Sequence, residues 1–181
     1  MSHQQPATAV ALTGVERFFG DDEVIVTKTD TGGRITYANP VFLRVSSLGE
    51  GEALGRPHNL IRHPDMPACV FRLLWQALGR GEEIFAYVLN RAMNGDHYWV
   101  LAHVTPSLDA DGKVTGYHSN RRVPDRAVVT NTIAPLYRRL LEAERAAPTR
   151  AKGIDASLAL LDSILAAEGL DYERFVFSLQ A

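Results

Sequence analysis

Three strand-like runs joined by two tight-turn signals constrain this chain most. Residues 84–90, 96–108 and 114–122 are rich in β-branched and aromatic residues, with Asn94-Gly95-Asp96 and Asp109-Ala110-Asp111-Gly112 between them. Glycine in such steps supplies the positive φ that short hairpin loops require, so the runs read as consecutive antiparallel strands. Upstream, residues 23–29 read as a strand by β-branched content, Asp30-Thr31-Gly32-Gly33 as a turn, and residues 34–38 as the strand that pairs back. Asn39-Pro40 then supplies an N-cap and first-turn proline for a short helix carrying Val41, Phe42 and Val45. Val70, Leu73, Leu74 and Leu78 recur at helical spacing over 67–78, and the Gly79–Gly81 stretch ends that helix. The order strand, strand, helices, strand, strand, strand predicts an α+β fold, with one five-stranded antiparallel sheet under short helices.

One strand is too apolar for a sheet with a wet face. Tyr98, Val100, Ala102 and Val104 alternate with His97, Trp99, Leu101 and His103, so cover is expected on both sides, from the internal helices and from a terminal helix or second subunit. Beyond Val123-Pro124-Asp125 the pattern turns helical. Ile133, Leu136, Tyr137, Leu140 and Leu141 form one stripe, and Ile154, Leu158, Leu161 and Leu165 form another after Pro148. Asp171 suits the cap of a last helix carrying Phe175, Phe177 and Leu179. Three parts are expected: an N-terminal cap segment (1–21) ending in a short helical turn near Val15–Phe19, a core domain (22–123), and a helical extension (124–181).

Composition excludes several classes. A net charge of −2 argues against nucleic acid as a partner. With no run long enough to insert in a bilayer, no signal peptide and the single Cys69, a cytoplasmic location is expected. A Gly-rich phosphate loop, a nucleophile elbow and a histidine pair at metal-binding spacing are all missing, so no enzyme is expected.

The segment Pro57-His58-Asn59-Leu60-Ile61-Arg62-His63-Pro64-Asp65-Met66-Pro67 packs two histidines, an arginine, an aspartate and three prolines into eleven residues. Little of it suits helix interior or a sheet ladder. A polar loop stiffened by proline holds donors and charges in place. Arg62 and Asp65 are equally suited to a structural ion pair. Phe71 and Trp75, four apart on a helix, are equally suited to core packing.

These motifs, with Ile35-Thr36-Tyr37-Ala38-Asn39, Leu74-Trp75, Asn94-Gly95-Asp96-His97-Tyr98-Trp99-Val100 and Ala134-Pro135-Leu136-Tyr137, resemble the PAS family of sensory domains over residues 24–137. Within it they are similar to the aerotaxis-receptor type, whose members hold flavin adenine dinucleotide (FAD). The resemblance implies a PAS fold for 22–123 and a flavin site at Asn39, Arg62, His63, Asp65, Phe71, Trp75 and Asn90. Ile84 and Ala86 depart from that type, which commonly has tryptophan and glycine there. The version here looks more like the separate PAS subunits of two-protein energy-taxis sensors, which work with a membrane chemoreceptor or other signalling protein.

Residue chemistry is compatible with this reading. Isoalloxazine is a flat, largely apolar ring with one polar edge. Ile84, Ala86, Val88 and Asn90 share a strand face, where Ala86 leaves room and Asn90 offers both donor and acceptor. Arg62 and His63 suit a pyrophosphate or a ring carbonyl, and Asp65 suits orienting His63 or pairing with Arg62. Asn39 is as readily only a helix cap. FMN is an alternative cofactor. A haem PAS sensor, ligated by His58, His63, His97 or Met66, is another, as is a cofactor-free dimerisation module. The surroundings of Cys69 do not resemble the photoactive-cysteine motif of blue-light relatives. A homodimer is expected from the family habit of pairing through flanking helices and from the apolar strand face.

Overall fold

A computed structural model describes residues 10–180. The strands are β1 (Ile25–Asp30), β2 (Ile35–Ala38), β3 (Ile84–Arg91), β4 (His97–Leu108) and β5 (Val114–Arg122). All pair antiparallel in the spatial order β2-β1-β5-β4-β3, which makes β5 the central strand. Between β2 and β3 lie α1 (Pro40–Ser46), α2 (Glu50–Ala53), a 3-10 turn (His58–Ile61) and α3 (Ala68–Gly79). The turn signals therefore lead to the expected five-stranded α+β fold. Gly95, in the β3–β4 turn, has φ of 94°, and an added Cβ would stand 2.1 Å from the Ala11 carbonyl oxygen.

The chain's first described residues are extended rather than helical. The Val15 carbonyl and Arg17 N–H are both spent on the His97 backbone, at 2.9 and 2.7 Å, so no helical turn closes at Val15–Phe19. Residues 1–9 of the expected cap segment lie outside the described residues.

After β5, the chain runs through α4 (Arg126–Val128), a π-helical turn (Val129–Ile133) and α5 (Ala134–Ala146). Pro135 lacks the N–H that a tight ladder would need, and the widened turn immediately before it absorbs the mismatch. Then come α6 (Arg150–Ala167) and α7 (Tyr172–Ser178).

These helices cover the second face of β3 and β4. The Tyr137 hydroxyl donates to the Tyr87 carbonyl at 2.6 Å, the Tyr137 ring lies 5.9 Å from Trp99, and Phe177 packs 5.0 Å from Phe85. Of the two covers expected for the apolar face, a terminal helix or a second subunit, the chain's own C-terminal helices supply it.

The α5–α6 crossing depends on a missing side chain. A Cβ on Gly153 would stand 2.5 Å from the Glu144 carbonyl oxygen. Gly153→Ala must push two helices apart and should destabilise the protein by about 1–3 kcal/mol. A thermal melt that leaves the midpoint unmoved would contradict this packing.

Candidate functional site

A cavity of about 240 Å³ lies between the sheet and the α3 side of the fold. Its floor is Thr27 and Thr29 from β1, Tyr117, Ser119 and Arg121 from β5, Ala102 and Val104 from β4, and Val88 and Asn90 from β3. These are alternate residues on their strands, as period-two side-chain geometry requires. Phe71, Leu74, Trp75 and Leu78 form one wall at helical spacing along α3. The segment His58–Arg62 and the β1–β2 turn at Gly32 and Gly33 close the rest.

Backbone hydrogen bonds fix the proline-rich segment. His58 N–H donates to the Gly33 carbonyl at 2.9 Å, Arg34 bridges Pro57, and the Arg62 backbone bridges Asn90. The Met66 sulfur accepts from Leu89 N–H at 3.4 Å. A stretch with little helix or ladder of its own is thus held by the β1–β2 turn and by β3.

Four of the seven residues named from the sequence line the cavity: Arg62, Phe71, Trp75 and Asn90. The Arg62 guanidinium lies 4.2 Å above the Phe71 ring. Trp75 stands 48% exposed, its ring nearly perpendicular to that of Tyr117 with centroids 5.4 Å apart, and forms part of the rim. Ala102, the β4 partner of Ala86, provides the small side chain on the cavity floor, whereas Ala86 does not reach it.

The other three stand outside the cavity wall. Asn39 caps α1 by accepting from Phe42 N–H at 3.0 Å, accepts from Val26 N–H at 3.0 Å and donates to the Val24 carbonyl at 2.7 Å. Its side chain fastens β1 to α1. His63 is buried on the far side of the loop, 5.9 Å from the His97 ring, and accepts from Asp65 N–H at 3.1 Å. Burial holds its pKa below the usual range, against the pull of Asp65. Asp65 is half exposed and pairs with Arg145 of α5 at 2.9 Å; of its two suggested partners, His63 Nδ1 lies 4.0 Å from its carboxylate and Arg62 forms no ion pair with it.

The strongest polar feature was not singled out from the sequence. Arg121 is 5% exposed and has no carboxylate partner among the described residues. Its Nη2 donates to Thr27 Oγ1 and to His58 Nε2, each at 2.8 Å. Because guanidinium only donates, His58 Nε2 must be the unprotonated nitrogen and the ring neutral. Burial and the Arg121 charge push the His58 pKa down to about 3, and burial lowers that of Arg121 to about 10. Arg121 Nη1, Ser119 Oγ, Asn90 Nδ2 and Thr29 Oγ1 are buried without partners, all on residues of the cavity wall. Orphaned buried groups are few in native proteins, and an unpaired buried charge is costlier still. Four of them around one cavity fit a ligand that presents acceptors and an extended apolar body.

His58 gives a pH prediction. Its folded pKa of about 3 lies below its ordinary 6.5, so the unfolded chain binds more protons over that interval and stability falls as pH drops through it. Between pH 7 and pH 5 the loss due to His58 should be about 2 kcal/mol. Urea unfolding of His58→Gln at the two pH values should lack this contribution. An equal pH dependence in both proteins would place the neutral imidazole elsewhere.

The sheet order, the helices crossing one face and the cavity beneath them define a sensory-domain architecture, the PAS fold. Residues 35–121 match the PAS-fold family, and this domain belongs to it. The chain is 42% identical over 121 residues to the aerotaxis receptor of Escherichia coli K12, covering 66% of this chain and 23% of the receptor. It is 28% identical over 99 residues to the nitrogen fixation regulatory protein of Klebsiella pneumoniae, covering 55% of this chain and 20% of that protein. The chain thus spans less than a quarter of either relative. Among solved structures, the light state of the blue-light photoreceptor Aureochrome1 LOV aligns at a TM-score of 0.56 and 19% identity, covering 61% of this chain and 89% of that one. That likeness establishes the fold alone. No helix among the described residues is long and apolar enough to cross a membrane.

Proposed function

We propose that this chain is a flavin-binding redox sensor with no enzymatic activity. One observation carries the reading: buried Arg121, without a carboxylate, stands with unpartnered Asn90, Ser119 and Thr29 atoms around a cavity of about 240 Å³. The apolar residues Ile61, Leu74, Leu78, Val88 and Val104 suit the faces of a flat tricyclic ring. Arg121, Ser119 and Asn90 suit its carbonyl-bearing edge, Asn90 supplying donor and acceptor from one side chain.

When bound, a flavin supplies a reversible two-electron couple whose reduced form gathers negative charge at that edge. The fixed charge of Arg121 favours the reduced form. Asn90, which carries both a donor and an acceptor, would meet the ring edge in either state, and its backbone is bridged to Arg62. Arg62 in turn stacks on Phe71 of α3, whose first turn is tied to the C-terminal helices. Glu144 Oε1 of α5 accepts both from Cys69 N–H and from the Ser157 hydroxyl of α6, each at 3.0 Å. Such differential contacts are what a redox signal requires.

The finer assignments follow the aerotaxis-receptor likeness: FAD rather than FMN, a cytoplasmic location, and energy-taxis signalling through a membrane chemoreceptor or another signalling protein. For a homodimer, one apolar surface among the described residues is the N-terminal segment, where Val10, Leu12, Val15 and Phe18 are exposed. The haem alternative has less support. His58 Nε2 is engaged by Arg121, the Met66 sulfur by Leu89, and neither His63 nor His97 lines the cavity.

The test is a visible spectrum of freshly purified protein, repeated under anaerobic dithionite. Bands near ~370 and ~450 nm that bleach on reduction support the flavin reading. A Soret band near ~400 nm would replace it with haem. No absorbance after incubation with flavin would leave a PAS interaction module.

A further inference from the structure

The ring-sized cavity does not end at its wall. An open groove of about 420 Å³ adjoins it across Arg62, Phe71 and Trp75, bounded further by Ala68, Arg72, Gln76, Arg150 and Ile154. Three guanidiniums from three elements face this groove: the proline-rich loop, α3 and the first residue of α6. Only one of them has a carboxylate partner among the described residues, Arg72 with Asp155 of α6. Glu144, the other acidic group nearby, has one carboxylate oxygen committed to Cys69 N–H and the Ser157 hydroxyl.

Resting on the flavin reading, we propose that this groove is the diphosphate subsite of a dinucleotide cofactor, and that Arg150 makes the C-terminal helix α6 part of the binding site. The division of space supports it. A cavity of about 240 Å³ is smaller than the ~300–1,000 Å³ of complete small-molecule sites, so a dinucleotide must leave it. The stacked Arg62–Phe71 pair stands at the passage between the two compartments. Guanidinium groups suit phosphate because their N–H donors match its oxygens in pairs. Arg62 has its pKa depressed first by burial and then by the positive charge of Arg150, with Glu144 opposing. A diphosphate relieves that repulsion. Neither riboflavin nor a single phosphate close to the ribityl chain would use the full groove.

The experiment compares riboflavin, FMN and FAD binding to the full chain and to Arg150→Ala, by flavin fluorescence at low and high salt. Arg150 is exposed and without an ion pair among the described residues, so thermal melts of the variant serve to verify its fold. The wild-type chain should bind FAD more tightly than riboflavin, with the preference shrinking as salt rises. In Arg150→Ala the ratio of FAD to riboflavin affinity should fall about tenfold. An unchanged ratio, or equal wild-type affinity for FAD and riboflavin, would overturn the subsite while leaving the flavin reading in place. Failure of all three flavins to bind the wild-type chain would overturn both.

Discussion

Arg121→Met should yield a protein that folds at least as stably as the parent yet binds flavin roughly 30-fold or more weakly. The two effects have the same origin. Arg121 is buried among neutral partners, with its guanidinium 5.9 Å from the Phe42 ring and hydrogen-bonded to Thr27 and His58. A buried charge without a counter-charge costs the ligand-free fold several kcal/mol, and an apolar side chain of similar reach removes that cost. Against this gain, Thr27 and His58 each lose a hydrogen bond worth ~1 kcal/mol. Binding moves the other way. Removing a buried charged donor from a ligand contact costs about 2–5 kcal/mol, a loss of roughly 30-fold or more in affinity. Equilibrium denaturation of the apo-protein and a flavin titration of the same sample check both halves. A variant that binds flavin like the parent would remove Arg121 from the site, whatever its stability.

Ala102→Leu should have a comparably large effect by volume alone. Ala102 is buried in the floor, paired in register with Arg121 on one side and Ala86 on the other. Three added carbons enter a cavity of about 240 Å³ that the side chains above do not fill. Burying them there stabilises the apo-protein by about 0.8 kcal/mol per carbon, roughly 2 kcal/mol in all. The same carbons occupy the plane a flat ring needs, so flavin binding should fall at least about 100-fold, the scale on which a snug site discriminates. The variant should be colourless after purification and melt later than wild-type apo-protein. Retained colour would mean that the ring does not lie on this floor.

Much of the fold was legible because it is written in local signals. Asn94-Gly95 turns where a positive φ is required, Asn39 caps α1, and the Phe71–Leu78 periodicity matches a helix with one face on the cavity. The helical turn expected at Val15–Phe19 failed because its backbone groups found partners on β4, a long-range pairing that local pattern does not encode.

The candidate site was legible only in part, for a related reason. Arg62, Phe71, Trp75 and Asn90 sit on the elements that enclose the cavity. Asn39, His63 and Asp65 are absorbed by a cap, a buried loop contact and an ion pair to α5. Arg121 lies in Gly116-Tyr117-His118-Ser119-Asn120-Arg121-Arg122, a stretch polar enough to suggest a solvated strand. Only the register of β5 against β1 and β4 turns Tyr117, Ser119 and Arg121 inward together. Their period-two spacing was the available signal, and the cover provided by residues 58–62 and α3 was the part that sequence spacing alone could not supply.

The most direct measurement is an equilibrium titration of the flavin-free wild-type chain with FAD, following ring absorbance and fluorescence together. A flat ring held between apolar walls with its polar edge on Arg121 and Asn90 should bind one per chain, quench and shift its visible band. Micromolar or tighter affinity is expected, about 8 kcal/mol or more of binding free energy. A spectrum that remains that of free flavin at every protein concentration would contradict the claim that this cavity is a flavin site.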